Sequence, residues 1–344
     1  MLENGRRLSQ PVRPIDAIQP AKQVPLTCPG HTRPVVDLGF SSFTYTGDFF
    51  LISACKDSVP ILRRGNTGDW VGSFQGHKGA VWSARLSRDA TLSVTGSADF
   101  TAKIWDNLTG VAMVTLDHSH VVRCVDITGE GRYVLTGGYE KKVRIFDLQG
   151  DGKREPMRVL EGCENEIKTA LLDGDHGLVF AGDGKNLRVW DLRTSSEISK
   201  REFESEISSL RFSWDKKFII CTAGNKVLFY NALSSALEKS FDVNINASSA
   251  SLHPSGGKFV VGGSQDLWVR VYDWKTGEEQ ANGKIAPSAI ILLRSAEVHK
   301  GHHGPIHCVS YSPDGHLYAT GSEDGTVRLW QTVPGIKYGL WEQQ

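Results

Sequence analysis

"GHKGAVWSARLSRDATLSVTGSADFTAKIWD", from Gly76 to Asp106, holds three short β-rich runs, "VWSARLS", "LSVTGS" and "TAKIWD", each bounded by turn residues. The same layout returns in "GHHGPIHCVSYSPDGHLYATGSEDGTVRLWQ", from Gly301 to Gln331. His77 precedes Trp105 by 28 residues, and His302 precedes Trp330 by 28. Weaker copies close at Leu62-Arg63, Phe146-Asp147, Trp190-Asp191, Tyr230-Asn231 and Tyr272-Asp273. Successive copies are then spaced by 43, 41, 44, 40, 42 and 58 residues.

Seven copies at a period near 42 form the WD-repeat signature. Four short strands per copy make a blade, and seven blades close a ring, so the expected fold is an all-β, seven-bladed WD-repeat β-propeller. "SPDG", Ser312 to Gly315, supplies a turn in which proline sets φ and glycine takes positive φ. The ring must close to protect its edges. WD-repeat proteins close it by lending an N-terminal strand to the last blade, and "VPLTC", Val24 to Cys28, is the candidate. The WD resemblance also implies a polar network, in which the histidine of the Gly-His pair bonds a buried aspartate that engages a hydroxyl and the Trp indole. The implied sets are His77, Asp99 and Trp105, and His302, Asp324 and Trp330. Buried polar groups come paired, so these residues are expected together. Copy one lacks Trp-Asp, copy five lacks Gly-His, and copies four and six carry Gly162-Cys163 and Phe241-Asp242 in its place. Those four blades are expected to rely more on apolar packing.

The chain has 344 residues, no net formal charge and 40% hydrophobic residues, ample for a packed core. Charge balance speaks against direct nucleic-acid binding, which needs a basic footprint. No apolar run approaches the roughly 18 residues of a membrane helix, and no signal-peptide pattern opens the chain. The six cysteines are scattered without a C-x-x-C pair and read as reduced thiols. His302, His303, His307 and Cys308 are zinc-ligand types close in sequence, but no second pair has zinc-like spacing. No phosphate loop, nucleophile elbow or H-E-x-x-H motif occurs. The expectation is a non-catalytic, cofactor-free and metal-free monomeric propeller within a larger complex. An enzyme or a metal-binding protein is the remote alternative.

A rigid ring with variable loops is a binding platform. In the WD family two residues flanking the first core position of each innermost strand face the central opening. By that rule the candidate partner surface includes Pro34, Val36, Trp82, Arg123, Glu166, Lys168, Glu206 and His307. Trp82 and Arg123 stand out, because Trp and Arg lead hot-spot lists. Trp82 has a second reading, as a core residue filling a gap between blades.

"SACKD" (54 and its neighbours, 53–57), "ADFTAK" (98–103) and the terminal "YGLW" (338–341) are not demanded by a propeller. With "LTCPGHTRPVVDLGFS" and "GHHGPIHCVSYSPDGHLYATGSEDGTVRLWQ", they resemble the serine-threonine kinase receptor-associated (Unrip) family from about Pro25 to Trp341. The resemblance implies a scaffold in the survival-motor-neuron complex, which loads Sm proteins onto spliceosomal RNAs, in cytoplasm and nucleus. It also implies links to translation control and to transforming-growth-factor-β receptor signalling. Subunit i of translation initiation factor 3 is a similar propeller, and a translation-initiation scaffold is the alternative. Residues 1–23 read as a disordered extension, and 24–341 as the propeller. A rim insertion at 281–296 accounts for the long last interval, either as a partner-binding loop or as intron sequence read as coding.

Overall fold

The computed structural model describes residues 24–150, 154–265, 267–279 and 298–333. The extension at 1–23, the insertion at 281–296 and the "YGLW" segment lie outside them. The described chain forms seven four-stranded antiparallel sheets arranged as a seven-bladed propeller. From the centre outward, blade 2 runs Val81–Leu86, Leu92–Ser97, Thr101–Asp106 and Ala112–Asp117. The other innermost strands are Val35–Phe40, Val122–Ile127, Ile167–Asp173, Ile207–Phe212, Ala247–Leu252 and Ile306–Tyr311. The last blade takes its outermost strand from the N-terminal side. Leu26–Cys28 pairs with Val327–Gln331 in the register Leu26↔Leu329 and Cys28↔Val327.

Both faces of a blade are covered by its neighbours, so the middle strands are continuous apolar or hydroxyl runs rather than alternating ones. In Leu92–Ser97 every residue after the first is buried. The core is divided between blades. Val94, Ile104 and Leu116 of blade 2 pack on Val122, Val125 and Phe146 of blade 3, and the same pattern repeats around the ring. Close approach of blades explains one recurrent glycine. A Cβ on Gly96 would lie 2.8 Å from Val122 Cγ1 of the next blade, and Gly137, Gly182, Gly262 and Gly321 meet the same strand in theirs.

Hydrogen bonds stitch the blades near the axis. The side chains of Asp37, Ser83, Thr169 and Ser249 accept from the backbone N–H of Ala84, Val125, Leu210 and Val309, each in the following blade. A hydroxyl or carboxylate at this third position of the innermost strand therefore replaces the ladder that an isolated sheet edge would lack.

In blade 6, Tyr272 bridges Glu279, and Arg270 pairs Val298. The outer ladder of that blade is thus present on either side of residues 281–296.

Candidate interaction surface at the mouth of the ring

The polar networks come first, because they set the loops that frame the surface. In blade 2, Trp105 Nε1 donates to Thr95 Oγ1 at 2.8 Å. Thr95 donates to His77 Nε2 at 2.7 Å, and His77 Nδ1–H donates to Asp99 Oδ2 at 2.8 Å. Blade 7 repeats the chain through Trp330, Thr320, His302 and Asp324, at 2.9, 2.7 and 3.0 Å. One histidine tautomer satisfies every link. The order differs from the sequence expectation, since the indole is held by a threonine and the histidine, not the aspartate, stands in the middle. Thr95 and Thr320 were missed, although "VTGS" and "ATGS" share the threonine. Burial alone would raise the Asp99 carboxyl, but hydrogen bonds from His77, the Lys78 N–H and Thr101 outweigh it and hold it below the usual carboxylate range. Burial pushes the His302 imidazole down to about 4, against the pull of Asp324.

Two of the four irregular blades keep a network, which corrects the expectation for them. In blade 1, His31 bonds Asp57 at 3.0 Å and Ser53 at 2.8 Å without any tryptophan. In blade 4, where Cys163 stands in place of histidine, the buried Asp183 accepts from Arg188 Nε at 2.8 Å and from the N–H groups of Glu164 and Asn165. A guanidinium thus takes over from an imidazole. Blade 3 also has a member that the Gly-His search passed over: His118 Nε2 bonds Thr136 Oγ1 at 2.8 Å. Its signal is "DHS" at 117–119.

The histidine-rich stretch separates in space. His302 belongs to the network, the His303 N–H donates to Asp324, and His307 bonds Glu323 at 2.6 Å. The Cys308 thiol is buried against the Gly321 carbonyl, and burial pushes it up. Elsewhere, ligand-type atoms of His31, Cys55 and Asp57 lie within 4.8 Å of one another. Each has a protein partner there, with Cys55 Sγ donating to the Arg33 carbonyl at 3.0 Å and burial lifting that thiol to about 12.

A cavity of about 380 Å³ opens at the centre of the ring. Val36, Trp82, Arg123, Lys168, Ser208, Ser248 and His307, one from each blade, line it, together with Glu206. Each of these seven is the unpaired residue of a β-bulge in its innermost strand, as between Val81 and Ser83 or Val122 and Cys124. The bulge turns an extra side chain toward the axis. Pro34 and Glu166 are not among the lining residues. The Pro34 carbonyl accepts the Lys56 N–H, and Glu166 stands 3.5 Å from Lys168.

Trp82 and Arg123 are in direct contact, with the guanidinium 3.8 Å from the ring centroid. Trp82 is half-buried and forms part of the cavity wall, so it is not a gap-filler inside the blades. Among the described residues, neither Trp82 Nε1 nor Arg123 Nε, both buried, has a hydrogen-bond partner. The other polar side chains at the mouth have partners: Lys168 meets Glu206 at 2.7 Å, and His307 and Lys56 meet Glu323 at 2.6 and 3.8 Å. Among the described residues Arg123 makes no ion pair.

The floor of the cavity went unread in the sequence. Asp37 of blade 1 accepts from Arg85 of blade 2 at 2.5 Å and from Arg211 of blade 5 at 3.1 Å. Arg211 therefore reaches across the ring, and it also donates to the Leu38 carbonyl at 2.9 Å. Burial, and then the neighbouring Arg85, push the Arg211 guanidinium down, while burial pushes the nearby Asp126 carboxyl up.

The family model for the WD domain, G-beta repeat, matches residues 68–106, 110–147 and 294–331. The serine-threonine kinase receptor-associated protein of Mus musculus is 47% identical over 93% of this chain and 86% of its own length. The protein of the same name from Dictyostelium discoideum is 43% identical over 89% of this chain and 98% of its own length. The eukaryotic translation initiation factor 3 subunit I of Nematostella vectensis is 28% identical over 90% and 97%. The first two similarities each cover about nine-tenths of the chain, and together with the repeat pattern they show that the chain belongs to the serine-threonine kinase receptor-associated protein family of WD-repeat proteins.

Proposed function

We propose that this chain is a non-catalytic scaffold that captures partner proteins at the mouth of its ring. Its complex is the survival-motor-neuron complex of spliceosomal snRNP assembly, and it works in cytoplasm and nucleus. The observation that carries the binding role is the Trp82–Arg123 stack at 3.8 Å beside a cavity, its guanidinium without an ion pair among the described residues. Such a pair combines the two residue types that dominate interface energetics. Family membership supports the choice of complex. The names of the relatives also support a role beside receptor kinases, as a further function of the same scaffold.

Affinity purification of the tagged chain from its own cells tests the reading. Sm proteins and their assembly factors should co-purify. Recovery of initiation-factor subunits instead would replace it with the second reading, a translation-initiation scaffold, which the 28% similarity to the initiation-factor subunit favours.

A further inference from the structure

Three exposed aromatic side chains lie on loops of blades 2 and 3 beside the mouth. Phe100 is 44% exposed and Tyr139 is 43% exposed. His120 stands between them, 5.5 Å from the Phe100 ring and 5.2 Å from that of Tyr139, on which it stacks at 10°. The Tyr139 N–H donates to the carbonyl of Val121, two residues before Arg123. The neighbouring Gly138 lies against the Arg123 backbone, since a Cβ on it would stand 2.9 Å from the Arg123 nitrogen, so the Phe100–His120–Tyr139 group adjoins the strand that carries Arg123 and its contact with Trp82.

The backbone makes Phe100 expensive for the fold. Its φ is 66°, a left-handed conformation. The matching turn position in blade 7 is Gly325, at 75°, and those in blades 1 and 3 are Ser58 and Lys141. A bulky aromatic in that region is strained, and here it also leaves much of its ring in water. Folding alone would favour glycine. Strain and exposure combined in one residue point to a use outside the fold.

Charge indicates what covers the strip. Lys78, Arg123 and Lys141 make no ion pair among the described residues. The acids close by are committed: Asp99 to His77, and Glu140 to Ser119 and Arg144. Asp117, at the end of the outer strand of blade 2, makes no ion pair among the described residues.

Resting on the reading of the mouth as a partner site, we propose that Phe100, His120, Tyr139, Arg123 and Trp82 form one docking strip for an extended acidic peptide of a partner protein, with a carboxylate at Arg123 and an apolar or aromatic side chain on the Phe100–His120–Tyr139 ladder. Guanidinium and carboxylate give register through a two-pronged charge-assisted hydrogen bond. The aromatic ladder gives contact area at little cost in side-chain entropy.

The test is selection of a random twelve-residue phage-displayed peptide library on the purified full-length chain, followed by affinity measurement on synthetic copies of the selected peptides. Enriched peptides should carry Asp or Glu within a few residues of an aromatic or large aliphatic side chain. Phe100→Gly should weaken their binding about tenfold while leaving the thermal midpoint equal or higher, because it relieves strain. Arg123→Gln should abolish the preference for the acidic residue. The salt dependence of binding should shrink in the same variant. Selected peptides without an acidic residue, or Phe100→Gly and Tyr139→Ala variants that bind within twofold of the parent, overturn the proposal. The complex recovered by co-purification is a separate readout. Initiation-factor subunits there would overturn the choice of complex and leave the chemistry of the strip standing.

Discussion

Thr95 serves two neighbours with one hydroxyl, accepting from Trp105 and donating to His77. Asp99 then anchors the loop, accepting from His77, from the Lys78 N–H and from Thr101. Asp99→Ala should leave those donors unpaired and cost about 1–3 kcal/mol, seen as a lower thermal midpoint with the Trp105 environment little changed. Arg188 in blade 4 is a stronger case, because its side chain is 5% exposed and that of its partner Asp183 is 0% exposed. Removing the guanidinium leaves the buried Asp183 carboxylate with only the Glu164 and Asn165 N–H groups, so Arg188→Ala should cost about 3 kcal/mol by denaturant unfolding. Acid should act through His302. Its folded imidazole takes a proton only at about 4, against 6.5 when unfolded, so between those values the unfolded chain binds more protons. The stabilisation is complete above pH 6.5 and is lost as pH falls toward 4. Below that Asp57, held at about 2 against an unfolded 3.8, continues the loss. Thermal midpoints measured from pH 7 to pH 4 should fall, and a His302→Gln variant should fall less steeply over the same range.

The outer strand of blade 6 shows how an element tolerates interruption. In blade 2 the outer pairing passes from Trp105↔Ala112 to Ile104↔Val114 with a one-residue bulge. In blade 6, Tyr272↔Glu279 is followed by Arg270↔Val298. Taking out the sixteen residues 281–296 brings Val298 into the register that the same one-residue bulge would give. A protein lacking 281–296 should therefore fold, with stability within about 1 kcal/mol of the parent, since a longer surface loop costs little entropy. A deletion protein recovered only as aggregate would show that the segment contributes to the blade. The blades themselves were legible as period and motif, and so was the closing strand at Leu26–Cys28. The bulges were not. A bulge is a mismatch of register between two strands, set by their pairing, and the residues around Trp82 or Lys168 carry no composition that marks it.

At the scale of the whole ring, closure brings together side chains that no repeat unit contains. The Trp82–Arg123 contact joins two blades, and the Asp37–Arg211 contact joins residues 174 positions apart. If the mouth is the partner surface, Trp82→Ala combined with Arg123→Ala should weaken partner capture by about 2 kcal/mol or more. The double variant should keep the parent's circular-dichroism spectrum and unfold cooperatively, because both side chains line a cavity instead of filling a blade. Unchanged capture would move the contact to another surface. The sequence by itself determined the number of blades, their strand order, the buried tryptophans and the two full His–Asp sets, because each blade repeats one local pattern of hydrophobic runs and turns and touches mainly its neighbours. Tertiary structure alone decided that Thr95 and Thr320 stand between indole and imidazole, that Arg188 replaces a missing histidine, and that Arg211 crosses the ring to Asp37. Those partners are chosen by distances across blades and across the axis, and such distances exist only once the ring has closed.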